Sequence, residues 1–239
     1  MKVDLLESSG FCGGVNRALS ILDKTILNNP DKEIYLLGPI VHNNNVNKRF
    51  EEKGVKIIDK KMISSIKKGS ILVISAHGIS DYFMEKIKKL DIEIVDTTCP
   101  YVLKIHNMIN NHNSEPIIFI GKKSHSETIG MTEEKENIKV FESLDELKNK
   151  SSDKEGLIIN QTTFNIKNLD EIHEYIKNNF PNFKIYNTIC PTSKENQEFF
   201  LKRNDKYNVS IIVGDKISNN ANSLYELSPY PKNILFLYR

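Results

Sequence analysis

A cysteine recurs three times along the chain, each time in the same local setting. Cys12, Cys99 and Cys190 are separated by 87 and 91 residues. Each lies between a short apolar run typical of a strand and an amphipathic stretch typical of a helix. The three versions read VDLLESSGFCGGVNRALSILDK, IEIVDTTCPYVLKIHNMINNH and FKIYNTICPTSKENQEFFLKR. This pattern places every sulfur at the start of a helix, where free N–H groups and the helix dipole favour a thiolate.

The repetition extends beyond the cysteines. In each part a second apolar run ends in a glycine loop, and a third short strand follows. A lysine-rich helical piece and a fourth strand complete the first two parts, as ILVISAHG and GLIINQTT, and the third part has no counterpart of that strand. The loops are centred on Gly38, Gly121 and Gly214, and the third strands are predicted at 55–58, 138–141 and 234–237.

Short strands alternating with helical stretches are typical of parallel sheets with covering helices. The sequence therefore predicts an α/β protein of three small domains in pseudo-threefold relation, with mostly parallel sheets and flanking helices around one centre. The predicted domains are 1–97, 98–188 and 189–239, the last of them incomplete.

Composition excludes several classes of protein. With 39% hydrophobic and 27% charged residues, the chain is not of disordered type, and a net charge of +2 gives no reason to expect a nucleic-acid partner. No apolar run approaches the roughly 20 residues that span a bilayer, so no membrane partner is expected. The first ten residues, MKVDLLESSG, carry acids where a signal peptide is apolar. An odd number of cysteines suits a reducing compartment, and we expect a cytoplasmic protein.

Ligands of parallel sheets collect beyond the carboxyl ends of the strands, and in three such units these ends converge. Polar side chains follow these strand ends, and each also has a structural interpretation. A cysteine can be a buried apolar residue, a histidine can brace its loop, and the others can cap helices or pair within loops. His106, His112 and His173 lie in helical stretches and are expected on the surface. The candidates besides the cysteines are His42, His77, His125, Glu127, Thr162, Ser218, Asn219 and Asn220.

The cysteine number also bears on the kind of metal site. Three thiols are too few for a four-cysteine zinc site, and their spacing is unlike that of zinc fingers. They do suit a cuboidal iron–sulfur cluster that leaves one iron open. The segment GFCGGVNRA has the wrong spacing for a Walker loop or a dinucleotide motif, so no nucleotide cofactor is implied.

Eight motifs in order closely resemble the hydroxymethylbutenyl diphosphate reductases, the IspH or LytB family, over residues 1 to about 228. They are FCGGVNRA, GPIVHN, SAHG, DTTCP, KSHSETIGM, NQTTF, ICPTSKENQ and ISNNANSLYEL. The resemblance implies reduction of 4-hydroxy-3-methylbut-2-enyl diphosphate to isopentenyl and dimethylallyl diphosphate, with two electrons, two protons and loss of water. This is the last step of the non-mevalonate route to isoprenoid precursors. Ferredoxin or flavodoxin is the implied electron donor.

The resemblance also implies residue roles. Cys12, Cys99 and Cys190 match the ligands of a [4Fe-4S] cluster whose open iron binds the allylic hydroxyl of the substrate. His42 and His77 match diphosphate-binding histidines. The implied catalytic group near the substrate hydroxyl is His125, Glu127 and Thr162, with Glu127 as the proton source. The implied diphosphate loop is Ser218, Asn219 and Asn220.

The chain departs from the family pattern in three places. The family has HPE where this chain has HSE, and SSNSN where it has SNNAN, so that Asn219 replaces a serine. Family members also continue with a serine-containing GITAGAS-like segment. The repeat predicts the counterpart of that serine near position 254, because His42 precedes His77 by 35 residues and His125 precedes Thr162 by 37. We therefore expect a truncated third domain that lacks a helix, a strand and one diphosphate contact, with poor substrate affinity.

Two alternatives to an active reductase stay open. The chain can be an iron–sulfur binding relic of the enzyme with weak or absent catalysis. It can also be a zinc or structural α/β protein with inert thiols. Metal content separates the last from the first two, and turnover separates the enzyme from the relic.

Overall fold

The computed structural model describes residues 3–6, 9–203, 207–227 and 234–238. No helix in these ranges is both long and apolar enough to span a bilayer. The helices are α1 Gly13–Asn28, α2 Asn44–Glu52, α3 Asp81–Ile87, α4 Pro100–Asn110, α5 Ser126–Thr132, α6 Leu144–Leu147, α7 Ile166–Asn179, α8 Pro191–Arg203 and α9 Asn219–Glu226, with a 3₁₀ helix at Lys60–Ser65.

The strands form three separate parallel sheets. The first sheet has the order β2-β1-β3-β4, the second has the equivalent order β6-β5-β7-β8, and the third pairs β10 with β9. The predicted α/β class with parallel sheets is thereby confirmed. The strands are β1 Ile34–Leu37, β2 Lys56–Ile58, β3 Ile71–Ile74, β4 Glu93–Asp96, β5 Ile117–Ile120, β6 Ile138–Phe141, β7 Gly156–Asn160, β8 Phe183–Tyr186, β9 Ser210–Gly214 and β10 Ile234–Tyr238.

Helices cover both faces of the first two sheets, which explains why the central strands read as continuous apolar runs. Every residue of β1, β3, β5 and β7 is buried. In the first sheet, α1 packs on one face through Ala18 and Leu22, and α3 packs on the other through Phe83 and Ile87. In the second sheet, α4 and α7 occupy the equivalent places. The middle strands are thus held rigidly, and their carboxyl ends can position side chains.

The third sheet is less covered than the other two. Ile212 of β9 is buried, whereas Ile211 and Val213 are 58% and 57% exposed. Leu235 and Leu237 of β10 are 54% and 46% exposed. The parallel pairing of β9 with β10 matches that of β1 with β2, and β10 lies where the repeat predicted a third strand.

The strand predicted before Cys12 is wrong for its described part. Residues 3–6 are not in a strand, and Val3 and Leu5 are 72% and 82% exposed. The runs before the other two cysteines do form strands, and these are the edge strands β4 and β8 of the preceding sheet. They pair with β3 and β7, and the described part of the third sheet contains no counterpart of those two strands. Without a neighbouring strand, an apolar run has no partner for the backbone hydrogen bonds that would make it a strand.

The surface position predicted for His106 is also wrong. His106 is 7% exposed, because it lies on the inward face of α4 with Val102 and Ile105. Its Nε2 lies 3.4 Å from the place that a Cβ on Gly78 would occupy. His112 and His173 are partly exposed.

The predicted domain division stays a prediction, although the sheets are compatible with it. The first sheet lies within residues 34–96, the second within 117–186 and the third within 210–238.

Candidate active site

The three cysteines begin three helices in the same way, as the repeat predicted. Cys12 is the N-cap of α1 and Cys99 is the N-cap of α4, and Cys190 directly precedes α8. Each cysteine carbonyl accepts a hydrogen bond from the amide four residues later, at 2.9 to 3.0 Å. A Cβ placed on Gly14 would lie 2.6 Å from Cys99 Sγ and 3.9 Å from Cys12 Sγ. Two of the thiols therefore converge on the first turn of α1.

Hydrogen bonds to distant residues fix the turns that carry these thiols. The amide of Cys99 donates to the carbonyl of Ala76 at 3.0 Å, and the amide of Cys190 donates to the carbonyl of Thr162 at 2.9 Å. Arg17, on α1, donates through Nη1 to the carbonyl of Thr98 at 3.1 Å. The turns of Cys99 and Cys190 are thus bound to the loops that follow β3 and β7.

Burial opposes the thiolate that a helix start favours at two of the cysteines. Burial raises the pKa of Cys99, and burial raises the pKa of Cys190 to about 11. Helix N–H groups act in the opposite direction, as the bond from the amide of Ser193 to Cys190 Sγ at 3.3 Å illustrates. Desolvation outweighs them, because a half-buried anion loses much of its hydration. A bound cation would reverse this balance, since metal ligands bind as thiolates.

The donor set fits a cluster better than a single ion. Within the described ranges, no three His, Cys, Asp or Glu side chains are grouped as the ligands of one ion would be. A single zinc needs its thiolates within about 2.3 Å of one point. An iron–sulfur cluster instead offers separate irons, each of which takes its own thiolate. Three thiols on three helix starts, two of them meeting at Gly14, suit the second arrangement.

Glu127 and Thr162 form a buried pair beside the cysteine turns. Glu127 is 3% exposed, and its two carboxylate oxygens accept from the amide and the hydroxyl of Thr162, each at 2.7 Å. Its carboxylate therefore does not cap α5, whose N-cap is His125. Burial raises the pKa of Glu127 from 4.5 to about 7, and the two Thr162 bonds oppose that rise. Near neutral pH the carboxyl group can both hold and release a proton.

This raised pKa predicts a pH dependence of stability. A carboxyl whose pKa is higher in the folded than in the unfolded state stabilises the fold when it is protonated. This contribution is fully present below pH 4.5 and is lost as the pH rises through about 7. Replacing Glu127 with Gln removes the titration. In urea unfolding of the metal-free protein, we measure the free energy of unfolding of the variant minus that of wild type. We expect this difference to rise by up to about 3 kcal/mol from pH 5 to pH 8. An equal difference at both pH values would contradict the raised pKa.

Three histidines from three loops meet at one place. The ring centroids of His42 and His77 are 4.2 Å apart, and His125 lies 5.2 Å from the first and 5.8 Å from the second. They follow β1, β3 and β5 by three to five residues, as the sequence predicted. Within the part of the chain that the structure describes, neither ring nitrogen of His42 has a hydrogen-bond partner, although both are buried.

Burial favours the neutral form of all three rings. Burial lowers the pKa of His42, and it lowers that of His77 well below the ordinary value. Burial lowers the pKa of His125 to about 4, with smaller effects from His42 and Lys122. Asp215 acts in the opposite direction on His42. A neutral imidazole still has one N–H to donate, and a bound anion would raise the pKa of each ring.

The loop before α9 contains the third group of candidates. Ser218 is the N-cap of α9, and its hydroxyl oxygen accepts from the amide of Ala221 at 3.4 Å. Asn219 is 3% exposed, and its Nδ2 donates to the carbonyl and hydroxyl oxygens of Thr163 at 3.1 and 2.9 Å. Asn220 is half-buried in the first turn of the helix. The N–H groups at this helix start are suited to an anion.

Sequence reasoning missed Arg17, Thr163 and Asp215. Asp215 is 7% exposed, and its Oδ2 has no hydrogen-bond partner among the described residues. A polar residue directly after the glycine of a strand-end loop is a signal that could have drawn attention to Asp215. The contacts of Arg17 and Thr163 join segments 81 and 56 residues apart, and no local pattern shows them.

Two similar proteins have the same name. A 4-hydroxy-3-methylbut-2-enyl diphosphate reductase of Caldanaerobacter subterraneus subsp. tengcongensis is 33% identical over 232 residues, covering 95% of this chain and 80% of the relative. The protein of that name from Fusobacterium nucleatum subsp. nucleatum is 35% identical over 236 residues, covering 95% of this chain but 28% of the relative.

Solved structures of such reductases have the same fold. That of the E-1-hydroxy-2-methyl-but-2-enyl-4-diphosphate reductase from Plasmodium falciparum matches with a TM-score of 0.88 and 30% identity, over 95% of this chain and 73% of that one. A second, described as the terminal enzyme of the non-mevalonate pathway, matches with a TM-score of 0.71 and 28% identity, over 99% and 85%. The family model described as LytB protein matches residues 3–233. This chain therefore belongs to the LytB protein family.

Proposed function

We propose that this chain is an iron–sulfur reductase of 4-hydroxy-3-methylbut-2-enyl diphosphate, with isopentenyl and dimethylallyl diphosphate as products. The observation that supports it most is the buried carboxyl of Glu127 beside three converging thiols. Burial raises the pKa of Cys190, and the ionised forms of Cys12, Glu127 and Cys99 would each raise it further. These four groups therefore lie near one another, as ligands and acid of one site would.

The chain's own residues supply the proton. The proposed [4Fe-4S] cluster, held by Cys12, Cys99 and Cys190, would supply electrons one at a time and a Lewis-acidic iron for the leaving oxygen. Glu127 holds a proton near neutral pH, and it can keep both Thr162 bonds when protonated because each oxygen has a second lone pair. Delivery of this proton to the allylic hydroxyl lets water leave, and a second proton and two electrons complete the product.

The diphosphate is assigned to the histidine cluster and the loop before α9. The buried nitrogens of His42 have no partner in the described ranges, and one of them is satisfied if the neutral ring donates to a phosphate oxygen. His77 and His125 lie beside it, with His125 and Thr162 at the junction with the catalytic acid. Ser218 and Asn220 are assigned to the same anion. The family pattern would assign Asn219 to it too, although its Nδ2 is already bound to Thr163.

The electron donor and location are part of the proposal. Each electron would come from ferredoxin or flavodoxin, because the reaction takes up two electrons in single steps. A cytoplasmic location agrees with three free thiols that must stay reduced.

Anaerobic reconstitution with iron and sulfide tests this function. We expect about four irons and four sulfides per chain, and turnover of the substrate with a one-electron donor. Cys99→Ser should abolish cluster absorbance, whereas Lys104→Ser, an exposed change on the same helix, should not. Zinc or no metal in wild type would overturn the proposal. A full cluster without turnover would instead favour the iron–sulfur binding relic.

A further inference from the structure

Thr163 connects two parts of the candidate site. It lies in the loop after β7, next to Thr162. Its carbonyl oxygen accepts from Ser223 Oγ at 2.7 Å and from Asn219 Nδ2 at 3.1 Å, and its hydroxyl oxygen accepts from the same nitrogen at 2.9 Å. Helix α9 is therefore bound to the β7 loop by three hydrogen bonds that end on one residue.

The amide nitrogen of Asn219 is bound to Thr163. Both hydrogen bonds of Nδ2 end on oxygens of that residue, so an anion would have to compete with them for this nitrogen. Its Oδ1 has no partner among the described residues, but this oxygen is an acceptor and cannot bind a phosphate oxygen. Asn219 differs in this from Ser218, whose hydroxyl oxygen accepts from Ala221 and whose proton stays available.

The next residue along the loop orients the catalytic acid. The amide and hydroxyl of Thr162 donate to the two carboxylate oxygens of Glu127 at 2.7 Å, and the Thr162 carbonyl accepts from the Cys190 amide. A displacement of Thr163 would move Thr162 with it, because the two share a peptide bond. The Asn219 bonds therefore act on the position of the Glu127 carboxyl.

We infer that Asn219 is a positioning residue, which fixes the Thr162–Thr163 loop so that Glu127 faces the substrate, and that it does not itself hold the diphosphate. This inference rests on the proposed function. It predicts a loss of chemistry without a loss of anion binding, since a shift of about 1 Å in a positioned group can cost up to about a hundredfold in rate. A residue that binds diphosphate would show the opposite pattern.

Asn219→Ser tests the inference, because serine is too short to donate to both oxygens of Thr163. The matched control is Asn222→Ser on the same helix, where the amide donates to the carbonyl of Lys216 instead. Both variants are assayed as cluster-loaded protein for kcat, for KM and for inhibition by inorganic pyrophosphate. For Asn219→Ser we expect kcat to fall about tenfold, with KM and the inhibition constant within about twofold of wild type. Asn222→Ser should match wild type.

The outcomes separate the inference from the proposed function. Asn219→Ser with unchanged kcat, or with tenfold weaker pyrophosphate inhibition and normal kcat, would overturn the inference while the function stands. Wild type without turnover would overturn the function. If Asn219→Ser does not fold, Ser223→Ala removes the remaining α9 side-chain bond to Thr163 and should lower kcat in the same way, less strongly. An unchanged kcat in Ser223→Ala would then count against the inference.

Discussion

Gly14→Ala is expected to abolish cluster binding while leaving the metal-free fold intact. The added Cβ would lie 2.6 Å from Cys99 Sγ, which is closer than real Cβ atoms approach another heavy atom. In the metal-free protein the thiol can rotate away, and alanine even stabilises a helix relative to glycine by about 1 kcal/mol. A thiolate bound to a cluster has no such freedom. Iron and sulfide per chain after reconstitution should fall below about a tenth of the wild-type amount.

The neighbouring glycine provides the control for that experiment. No described heavy atom lies within 4 Å of a Cβ placed on Gly13, so Gly13→Ala should load the cluster as wild type does. Thermal unfolding of both metal-free variants checks that the fold is unchanged. A Gly14→Ala protein with a full complement of iron and sulfide would show that Cys99 does not bind the cluster in this position.

Glu127→Gln is expected to lower kcat by about a hundredfold to ten-thousandfold while the cluster is retained. Glutamine keeps an oxygen to accept from the amide of Thr162, and the Thr162 hydroxyl can turn to accept from the new amide. The shape of the site is therefore preserved, but no transferable proton remains. Single-turnover reduction of the substrate by the prereduced protein measures the effect on the chemical step.

Two controls are needed to interpret the result for Glu127→Gln. Iron content and absorbance should equal those of wild type, which excludes an indirect loss of the cluster. Glu51→Gln, on the exposed side of α2, should leave turnover unchanged. A Glu127→Gln protein with normal turnover would remove Glu127 from its assigned role as proton source.

Local sequence patterns were sufficient for most of the fold. The buried central strands appear as runs of branched apolar residues, and the repeated turns show where the chain reverses. The strand before Cys12 and the surface position of His106 were predicted wrongly for the same reason, because each depends on a neighbour that is distant in sequence. Val3 and Leu5 have the composition of a strand but no strand beside them, and His106 is polar but faces the core under Gly78.

The sequence predicted which candidate residues lie near one another, but not their pKa shifts or their hydrogen-bond partners. Loop positions after the strands predicted that His42, His77 and His125 would meet. The same reasoning placed the thiols at helix starts, but it could not weigh burial against the helix dipole, and burial dominates at Cys190. The contacts of Asn219 with Thr163 cross 56 residues and require the packed structure.

The edge strands β4 and β8 have a consequence for synthesis of the protein. Each completes one sheet and then leads, within four residues, to the cysteine that begins a helix of the next unit. Cys12 precedes Cys190 by 178 residues, and at about 5–20 residues per second a ribosome needs roughly 10–35 seconds to make them. During that interval the first thiols emerge without their third partner. The proposed cluster needs all three thiols, so its assembly would follow the synthesis of Cys190 and, with it, completion of the second sheet.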